Sequence, residues 1–462
     1  MGHRPSPDPP GGLARGGPKR GLQTSLAAEV AQEIEALVAP GAGAGLDFEA
    51  VEVAVRRRAL QLAARLIERR LNADTSDHTG PEQPCGCGAA AHYAGRRAKR
   101  FTTVLGDLTL ERAYYHCTAC GTGVCPRDRA LGVEATSLSP GVTRMVGLVG
   151  ALVSFAEGSE LLGALAGVTV PPKHVERAAE ALGREIAEDE RRVVEPGPPA
   201  EVAPTLYLGM DGTGIPMRAA ELAGRAGKQP DGTAKTREVK LCTIWSAEAR
   251  DEAGAPVRDP GSVSYSAAIE SAATRDTDDQ PSAFAGRVVR EAHRRGFDRA
   301  RRRVVLGDGA PWIWNLADEQ CPDALQIVDR FHAKEHLSDV AKLLYGPTSD
   351  LAQAWAHKRH VELEAGDLDT LLRALRTHAS ANDEARKCID YIERNRQRMR
   401  YPEFRAQGLC TSTGVVEAGC KVAIGTRLKR AGMHWTIAGA NAIIALRCAK
   451  LSGRFEAFWE RR

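Results

Sequence analysis

The sequence predicts a multidomain α+β protein, and three features carry that reading. Helical periodicity dominates up to about residue 80 and again over 131–194. Between these stretches, four cysteines bunch in two glycine-followed pairs. After a Pro-rich segment at 195–204 the pattern changes to short apolar strands alternating with helices. The expected parts are a disordered tail (1–23), an N-terminal helical region (24–80), a zinc-ribbon-like module (81–130), a second helical region (131–194), a linker (195–204), an α/β core (205–332 with 409–462) and an all-α insertion within it (333–408). Domains usually hold about 100–200 residues, so 462 residues accommodate this division.

The Gly/Pro-rich start has no apolar signal region. Over 26–71, Val30, Ile34, Leu37 and Val38 keep helical spacing, as do Val53, Leu60, Ala64 and Ile67, with a break at 40–45. The polar stretch 72–83 reads as a loop. Residues 99–115 read as a β-hairpin turning at Gly106-Asp107. Over 139–190, Val142, Met145, Val149 and Leu152 form one stripe and Leu161, Leu162 and Leu165 the next. A break at 167–172 precedes a helix at 174–188. This is the pattern of a helix-turn-helix and equally of any helical hairpin.

Beyond the linker, strands are expected at 205–210, 237–245 and 262–269, a helix at 281–296, a strand at 303–306, a helix at 312–319 and a strand at 325–328. That order is the order of an RNase H-like domain. Helical sequence then fills 333–400, and one more helix is expected at 411–428.

Composition bounds the class. A 43% hydrophobic and 26% charged chain reads as soluble and globular. No run of about 18 apolar residues is present, so no membrane span is expected. The net charge of +4 is mild, and basic clusters at 96–100, 299–303 and 427–430 matter more than the sum. Eleven cysteines, odd in number and unevenly spaced, suit reduced thiols and a metal better than a disulfide framework. The expectation is a cytoplasmic protein. No P-loop, dinucleotide fingerprint or Ser–His–Asp arrangement is present, so no nucleotide cofactor is expected.

Three acids stand where a fold could bring them together. Asp211 follows the 205–210 strand in Met210-Asp211-Gly212-Thr213, and Asp308 follows the 303–306 strand in Leu306-Gly307-Asp308-Gly309. Glu417 lies near the start of the 411–428 helix, with Ser412 or Thr413 as a candidate N-cap and Lys421 four residues on. Carboxylates ending neighbouring buried strands repel one another, and a divalent cation resolves that repulsion. Asp278 and Asp279 are rival acids in the N-cap region of a helix. Asp329 and His332 could orient a metal ligand or a DNA phosphate, or simply begin a helix. Lys421, Arg427, Lys429 and Arg430 are candidate DNA contacts beside Glu417.

The cysteines of Cys85-Gly86-Cys87-Gly88 and Cys117-Thr118-Ala119-Cys120-Gly121 flank the hairpin and would hold one structural Zn²⁺ through four thiolates. Cys85-x-Cys87 is one residue short of the usual knuckle, and Cys125, His92 or His116 could replace a ligand. Arg96, Arg97, Lys99 and Arg100 are the candidate phosphate contacts of this module. The remaining cysteines, such as Cys242, Cys388 and Cys448, read as core.

These residues also carry a family resemblance. Leu208-Gly209-Met210-Asp211-Gly212-Thr213-Gly214-Ile215-Pro216 resembles the first catalytic motif of the ISKra-type insertion-sequence transposases, which belong with the Mutator-like group. Gly307-Asp308-Gly309-Ala310-Pro311-Trp312-Ile313-Trp314 resembles their second motif, and Asp329-Arg330-Phe331-His332-Ala333-Lys334-Glu335-His336-Leu337 the Asp-x-x-His signature that follows it. Residues 412–421 resemble the glutamate helix. The similarity runs from about Cys85 to the end. The resemblance implies an Asp–Asp–Glu site in which Asp211, Asp308 and Glu417 bind two Mg²⁺ ions (Mn²⁺ as substitute) and catalyse DNA cleavage and strand transfer. It also implies a helical insertion before the glutamate helix. The expected partners are double-stranded DNA, as element ends and target, and further copies of the chain assembled on it, in association with a bacterial nucleoid. The competing readings are an RNase H-like nuclease that cuts without joining and a zinc-containing DNA-binding protein without activity.

Overall fold

The computed structural model describes residues 28, 30–32, 34–35, 47–192, 202–227, 229–230, 232–272 and 282–462. The expected tail, the break at 40–45, most of the linker, and Asp278 and Asp279 lie outside the described residues. The chain divides into two compact units, residues 1–142 with 163–169, and residues 143–162 with 170–462. Among the described residues, no helix is long and apolar enough to cross a membrane.

In the first unit, the helix Phe48–Ala73 begins at Asp47, whose carboxylate accepts the Ala50 amide at 2.7 Å. Its Ala64 and Leu71 pack on Phe101, Leu108 and Leu110. Those three belong to a four-stranded antiparallel sheet, in the order Glu82–Pro84, Ala90–Thr103, Gly106–His116 and Gly123–Val124. The hairpin is longer than expected, and its turn falls at Val104-Leu105, not at Gly106-Asp107. The Thr103 side chain is the reason. Its hydroxyl donates to the Gly106 carbonyl at 2.7 Å and accepts the Leu105 amide at 3.1 Å, so the turn closes before Gly106.

In the second unit, the helices Phe155–Leu161 and Pro172–Arg192 are both present. Ser154 and Glu157 cap the first reciprocally. The second buries Val175, Ala179, Leu182 and Ile186 and packs on the helix Ile437–Leu451.

Five strands form the second unit's main sheet, in the spatial order Leu325–Val328, Arg302–Gly307, Thr205–Pro216, Thr236–Ser246, Ser264–Ala268. The first three are mutually parallel. Thr236–Ser246 runs antiparallel to both of its neighbours. Leu206, Leu208, Met210, Ile244, Val304, Leu306 and Ile327 form the core with Phe284 and Val288 of the helix Ala283–Arg295. That helix starts at Ser282, whose hydroxyl accepts the Ala285 amide, and ends at the left-handed Gly296.

One strand boundary departs from the expectation. The first strand does not stop at Met210 but continues to Pro216, paired throughout with Thr236–Ser246. The Gly212-Thr213-Gly214 segment, which resembles a turn, is held in the ladder by Lys240, Val239 and Glu238 opposite it. Asp211 therefore lies within a strand. The helical stretch after the last strand resolves into Arg330–Tyr345, Asp350–Glu364, Leu368–Arg376, Asp383–Asn395 and Tyr401–Ala406.

Glu291 is wholly buried on the helix Ala283–Arg295. Arg294 reaches it at 2.5 Å and Arg454, from the chain's C-terminal end, at 3.1 Å. Burial opposes its ionisation, but the two guanidinium groups outweigh that and hold its carboxyl below the ordinary carboxylate range. Removing one partner of a buried pair leaves charge uncompensated. Arg454→Ala is expected to lower the unfolding free energy by about 3–5 kcal/mol, read from the midpoint of a urea titration; an unshifted midpoint would contradict this account of the core.

Candidate functional site

The Arg302–Gly307 strand pairs with the central strand only as far as Gly209. Beyond that point Asp308 leaves its strand and Asp211 continues along its own. Met210 is in the core, so Asp211, next in a pleated strand, points to the opposite face. The helix Gly414–Gly419 seats on that face. A Cβ at Gly209 would stand 3.0 Å from Val416 and 2.9 Å from Trp245, so only glycine leaves room for the helix that carries Glu417. The result is a cleft of about 240 Å³ lined by Asp211, Asp308 and Glu417 together with His332, Glu335 and Thr413.

Each acid is held by its own loop or helix. Asp211 accepts the Gly212 amide at 2.6 Å, and Asp308 accepts the Ala310 amide at 2.8 Å. Glu417 lies 3.1 Å from the Thr413 hydroxyl. Thr413 occupies the expected N-cap position, but its hydroxyl makes no capping bond, being engaged with Asp329 and Glu417. Burial pushes the Asp211 carboxyl up, and the charges of Asp308 and Glu417 push the same way. The Cys420 thiol and the Gly212 amide oppose the shift without cancelling it. The three acids share one cleft, but among the described residues the side chains close enough together to share a metal ion are the four cysteines of the other unit.

Asp329 is wholly buried and does not line the cleft. One carboxylate oxygen caps the helix Arg330–Tyr345 through the Phe331 and His332 amides, at 2.6 and 3.2 Å. The other accepts the Thr413 amide at 2.6 Å and also the Thr413 hydroxyl. The capping role and a link to the acid helix thus coexist in one residue. His332 does reach the cleft, with Nδ1 3.5 Å from Glu335.

A second cavity, about 540 Å³, adjoins Asp211 and Glu417 and is lined by Lys421, Lys429, Thr213, Cys420 and Thr426. Lys429 donates to the Thr213 hydroxyl at 2.5 Å. Both lysines are exposed. Arg427 overturns the expectation that it faces DNA. It is fully buried, donates through Nε to the Gly150 carbonyl at 2.9 Å, and lies over the Phe155 and Trp435 rings at 4.6 and 5.3 Å. Burial draws its pKa down to about 10. The chain from Cys420 to Gly425 is a wide π-type turn, which a regular helical period could not anticipate. Arg430 is half-buried and paired with Glu157.

In the other unit, Cys85, Cys87, Cys117 and Cys120 place all four sulfurs within 4.8 Å of one another. Cys85 lies 3.5 Å from Cys120, and Cys87 3.6 Å from Cys117. Four thiolates at the Zn–S length of about 2.3 Å sit roughly 3.8 Å apart on a tetrahedron, so this cluster could hold a metal such as zinc. Hydrogen bonds from Thr122 and the neighbouring thiols draw Cys120 down to about 6. The Cys87 amide favours the Cys85 thiolate, but the neighbouring thiols and desolvation outweigh it and push Cys85 up to about 12. Cys125 stands apart, 3.5 Å from Arg112. Of the basic residues nearby, Arg96 is tied to Asp77 and Lys99 to the Thr136 carbonyl, while Arg97 stacks on Tyr114 and Arg100 pairs with Asp107. Only Arg97 and Arg100 of these four are exposed.

Sequence reading did not place Glu335, Thr413 or Cys420 at the acids, although Thr413 was a candidate N-cap and Glu335 lies in the Asp329–Leu337 stretch. A spacing of three from His332 to Glu335 on one helix was the available signal. Nothing local marks Cys420, which meets Asp211 only through tertiary structure.

Residues 91–461 match the uncharacterised protein family UPF0236. No curated protein matches the chain. Among solved structures, the chain aligns with one from the Drosophila P element transposase strand transfer complex at 11% identity and a TM-score of 0.24, covering 72% of this chain and 83% of that one. So loose a likeness fixes neither fold nor function.

Two outcomes follow from this geometry. After extensive dialysis, elemental analysis is expected to find about one zinc per chain, lost in Cys120→Ser. A zinc-free protein whose Cys85 and Cys120 alkylate at the rate of exposed thiols would oppose that. Arg427→Ala is expected to lower stability by about 2–4 kcal/mol through the cavity and the orphaned Gly150 carbonyl. Arg427→Met, which refills the space without a buried charge, is expected to recover most of that loss. Thermal unfolding of both variants decides; equal stability of wild type and Arg427→Ala would return the residue to the surface.

Proposed function

We propose that this chain, which belongs to the uncharacterised protein family UPF0236, is a DNA transposase that cleaves and joins DNA at the cleft of Asp211, Asp308 and Glu417. The observation that carries the reading is the meeting of these three acids on one cleft from a strand, a strand end and a helix far apart in sequence. The resemblance of their motifs to ISKra-type transposases supports it. So does the five-stranded mixed sheet, which in this reading would be an RNase H-like core. In this reading the catalytic core comprises residues 205–332 and 409–462, interrupted by the helical insertion 333–408.

Asp211, Asp308 and Glu417 would hold divalent cations, Mg²⁺ or Mn²⁺. Such cations, once bound, activate an attacking water or 3′-hydroxyl and stabilise the leaving oxygen. The protein's own residues have distinct tasks. Burial, with the neighbouring charges of Asp308 and Glu417, raises Asp211, and a bound cation would relieve both. Lys421 and Lys429 stand beside it as point charges for the phosphates of the reacting strand. Thr413, held from behind by Asp329, fixes the position of Glu417. His332, on the cleft wall, can hydrogen-bond a phosphate oxygen. The cysteine module, with Arg97 and Arg100, would dock double-stranded DNA, and pairing two element ends calls for more than one copy of the chain.

The test uses the full chain with Mg²⁺ or Mn²⁺ and DNA carrying the ends of its own element. Wild type is expected to nick the ends and join them to a second duplex. Asp211→Asn, Asp308→Asn and Glu417→Gln should each reduce both steps by more than the about 10–100-fold cost of losing an outer-shell partner, while leaving end binding in place. Cleavage without joining would make the protein a nuclease. Normal cleavage by all three variants would end the proposal.

A further inference from the structure

The acid cleft has a second neighbour, which shares none of its lining with the lysine-lined cavity. This pocket, about 480 Å³, shares Asp308 and His332 with the cleft. Its volume lies within the roughly 300–1,000 Å³ typical of small-molecule sites. Its walls are planar groups. The His336 ring lies 4.4 Å from the Tyr391 ring, and the Arg398 guanidinium lies 4.6 Å over the Trp314 ring. Asn315 and Arg394 stand on its exposed rim. Arg398 is already committed, donating to Gln326 at 2.6 Å as well as covering Trp314. Arg394 uses its Nε on the Asp390 carbonyl, and its side chain is exposed.

Aromatic faces, an amide at the rim and one exposed guanidinium are the groups that recognise an unpaired nucleotide. The rings stack on the base, the amide meets its edge and the cation meets its phosphate. The pocket's position adds the decisive element. Tyr391 donates to the backbone carbonyl of Asp308 at 2.8 Å, so the pocket wall and the loop bearing an acid are one structure. Gly309 makes this possible. It has φ 99°, and a Cβ there would stand 2.3 Å from the Tyr391 ring. Whatever fills the pocket therefore lies next to whatever occupies the acids.

We propose that this pocket takes up one unpaired nucleotide adjacent to the reacting phosphate, its base against His336 and Tyr391 and its phosphate toward Arg394. The proposal rests on the DNA-cleaving reading of the cleft. It adds that the protein holds its substrate with a base drawn out of the stack. Unstacking costs free energy, and stacking on protein aromatics returns it. DNA in which one nucleotide is already unpaired should accordingly bind more tightly than the same duplex fully paired.

The experiment compares two duplexes of one sequence, one fully paired and one carrying a single bulged 2-aminopurine, by competition binding to the full chain. Wild type is expected to prefer the bulged duplex about tenfold. Asn315→Ala and Arg394→Ala, both at exposed positions, are expected to cut that preference at least about threefold. Asp211→Asn, outside the pocket, is expected to keep the preference while losing cleavage. Equal affinity of wild type for the two duplexes, or a preference that survives in both pocket variants, overturns the proposal. Metal-dependent cleavage by wild type, measured in parallel, separates the two readings. Cleavage without a preference removes the pocket alone, and a protein that neither cuts nor binds DNA removes both.

Discussion

The acid cleft depends on where one pair of parallel strands parts. Arg302–Gly307 follows the central strand from Thr205 to Gly209 and no further. The central strand is supported past that point only from its other side, by Thr236–Ser246. The gap this opens in the sheet is filled by carboxylates, and Glu417 comes over it on a helix that the bare Gly209 admits. Burial raises the proton affinity of Asp211, and the charges of Asp308 and Glu417 add to it. A fold does not assemble such a cluster for stability, which makes it the place to look for chemistry.

Asp329 secures the arrangement from behind. It is buried at the point where the chain enters the long helical excursion, and both of its oxygens are used. Across 84 residues it holds Thr413, at the point where the chain returns. The Arg330 amide, donating to the Thr411 carbonyl at 3.0 Å, closes the same neck. Pinning both ends of an excursion limits what its interior can do to the acids, because closing a longer loop adds only slowly to the entropic cost. The acid geometry is thus insulated from the length of the insertion, though not from the residues it sends back toward Asp308.

Much of the second unit was legible from pattern alone. The strands near 237–245, 303–306 and 325–328 are found within a residue or two of where apolar runs place them, because buried strands leave short uninterrupted runs. The helix near 281–296 was legible from its amphipathic pattern and is found at Ala283–Arg295, but its cap at Ser282 was not. The other illegible features share a cause: each is decided by a partner distant in sequence. The central strand runs on through Gly212-Thr213-Gly214 because another strand holds it. Thr413 gives up capping because Asp329 claims it. Arg427 is drawn inward by the Phe155 and Trp435 rings and the Gly150 carbonyl after an irregular turn. A basic residue in a basic run reads as surface, and no local signal says otherwise. The acids carry local marks instead: Asp211 and Asp308 follow apolar runs and sit beside glycine, and Glu417 lies near the start of a helix.

The two flanks of the acids are chemically unlike. On the Asp211 and Glu417 side stand Lys421 and Lys429, flexible ammonium groups suited to a charged backbone and indifferent to base identity. On the Asp308 side stand rings, amides and guanidinium groups, contributed in part by the insertion through Tyr391, Arg394 and Arg398. A symmetric site would treat either end of a bound strand alike. Under the proposed DNA-cleaving function this one would not, because a backbone suits one flank and an unstacked base the other. The polarity comes from the fold: the insertion leaves the core beside Asp308, next to the end of its strand, and Tyr391 returns to bond that residue's carbonyl. The excursion that the neck at Asp329 keeps from disturbing the acids is thereby the element that makes their surroundings asymmetric.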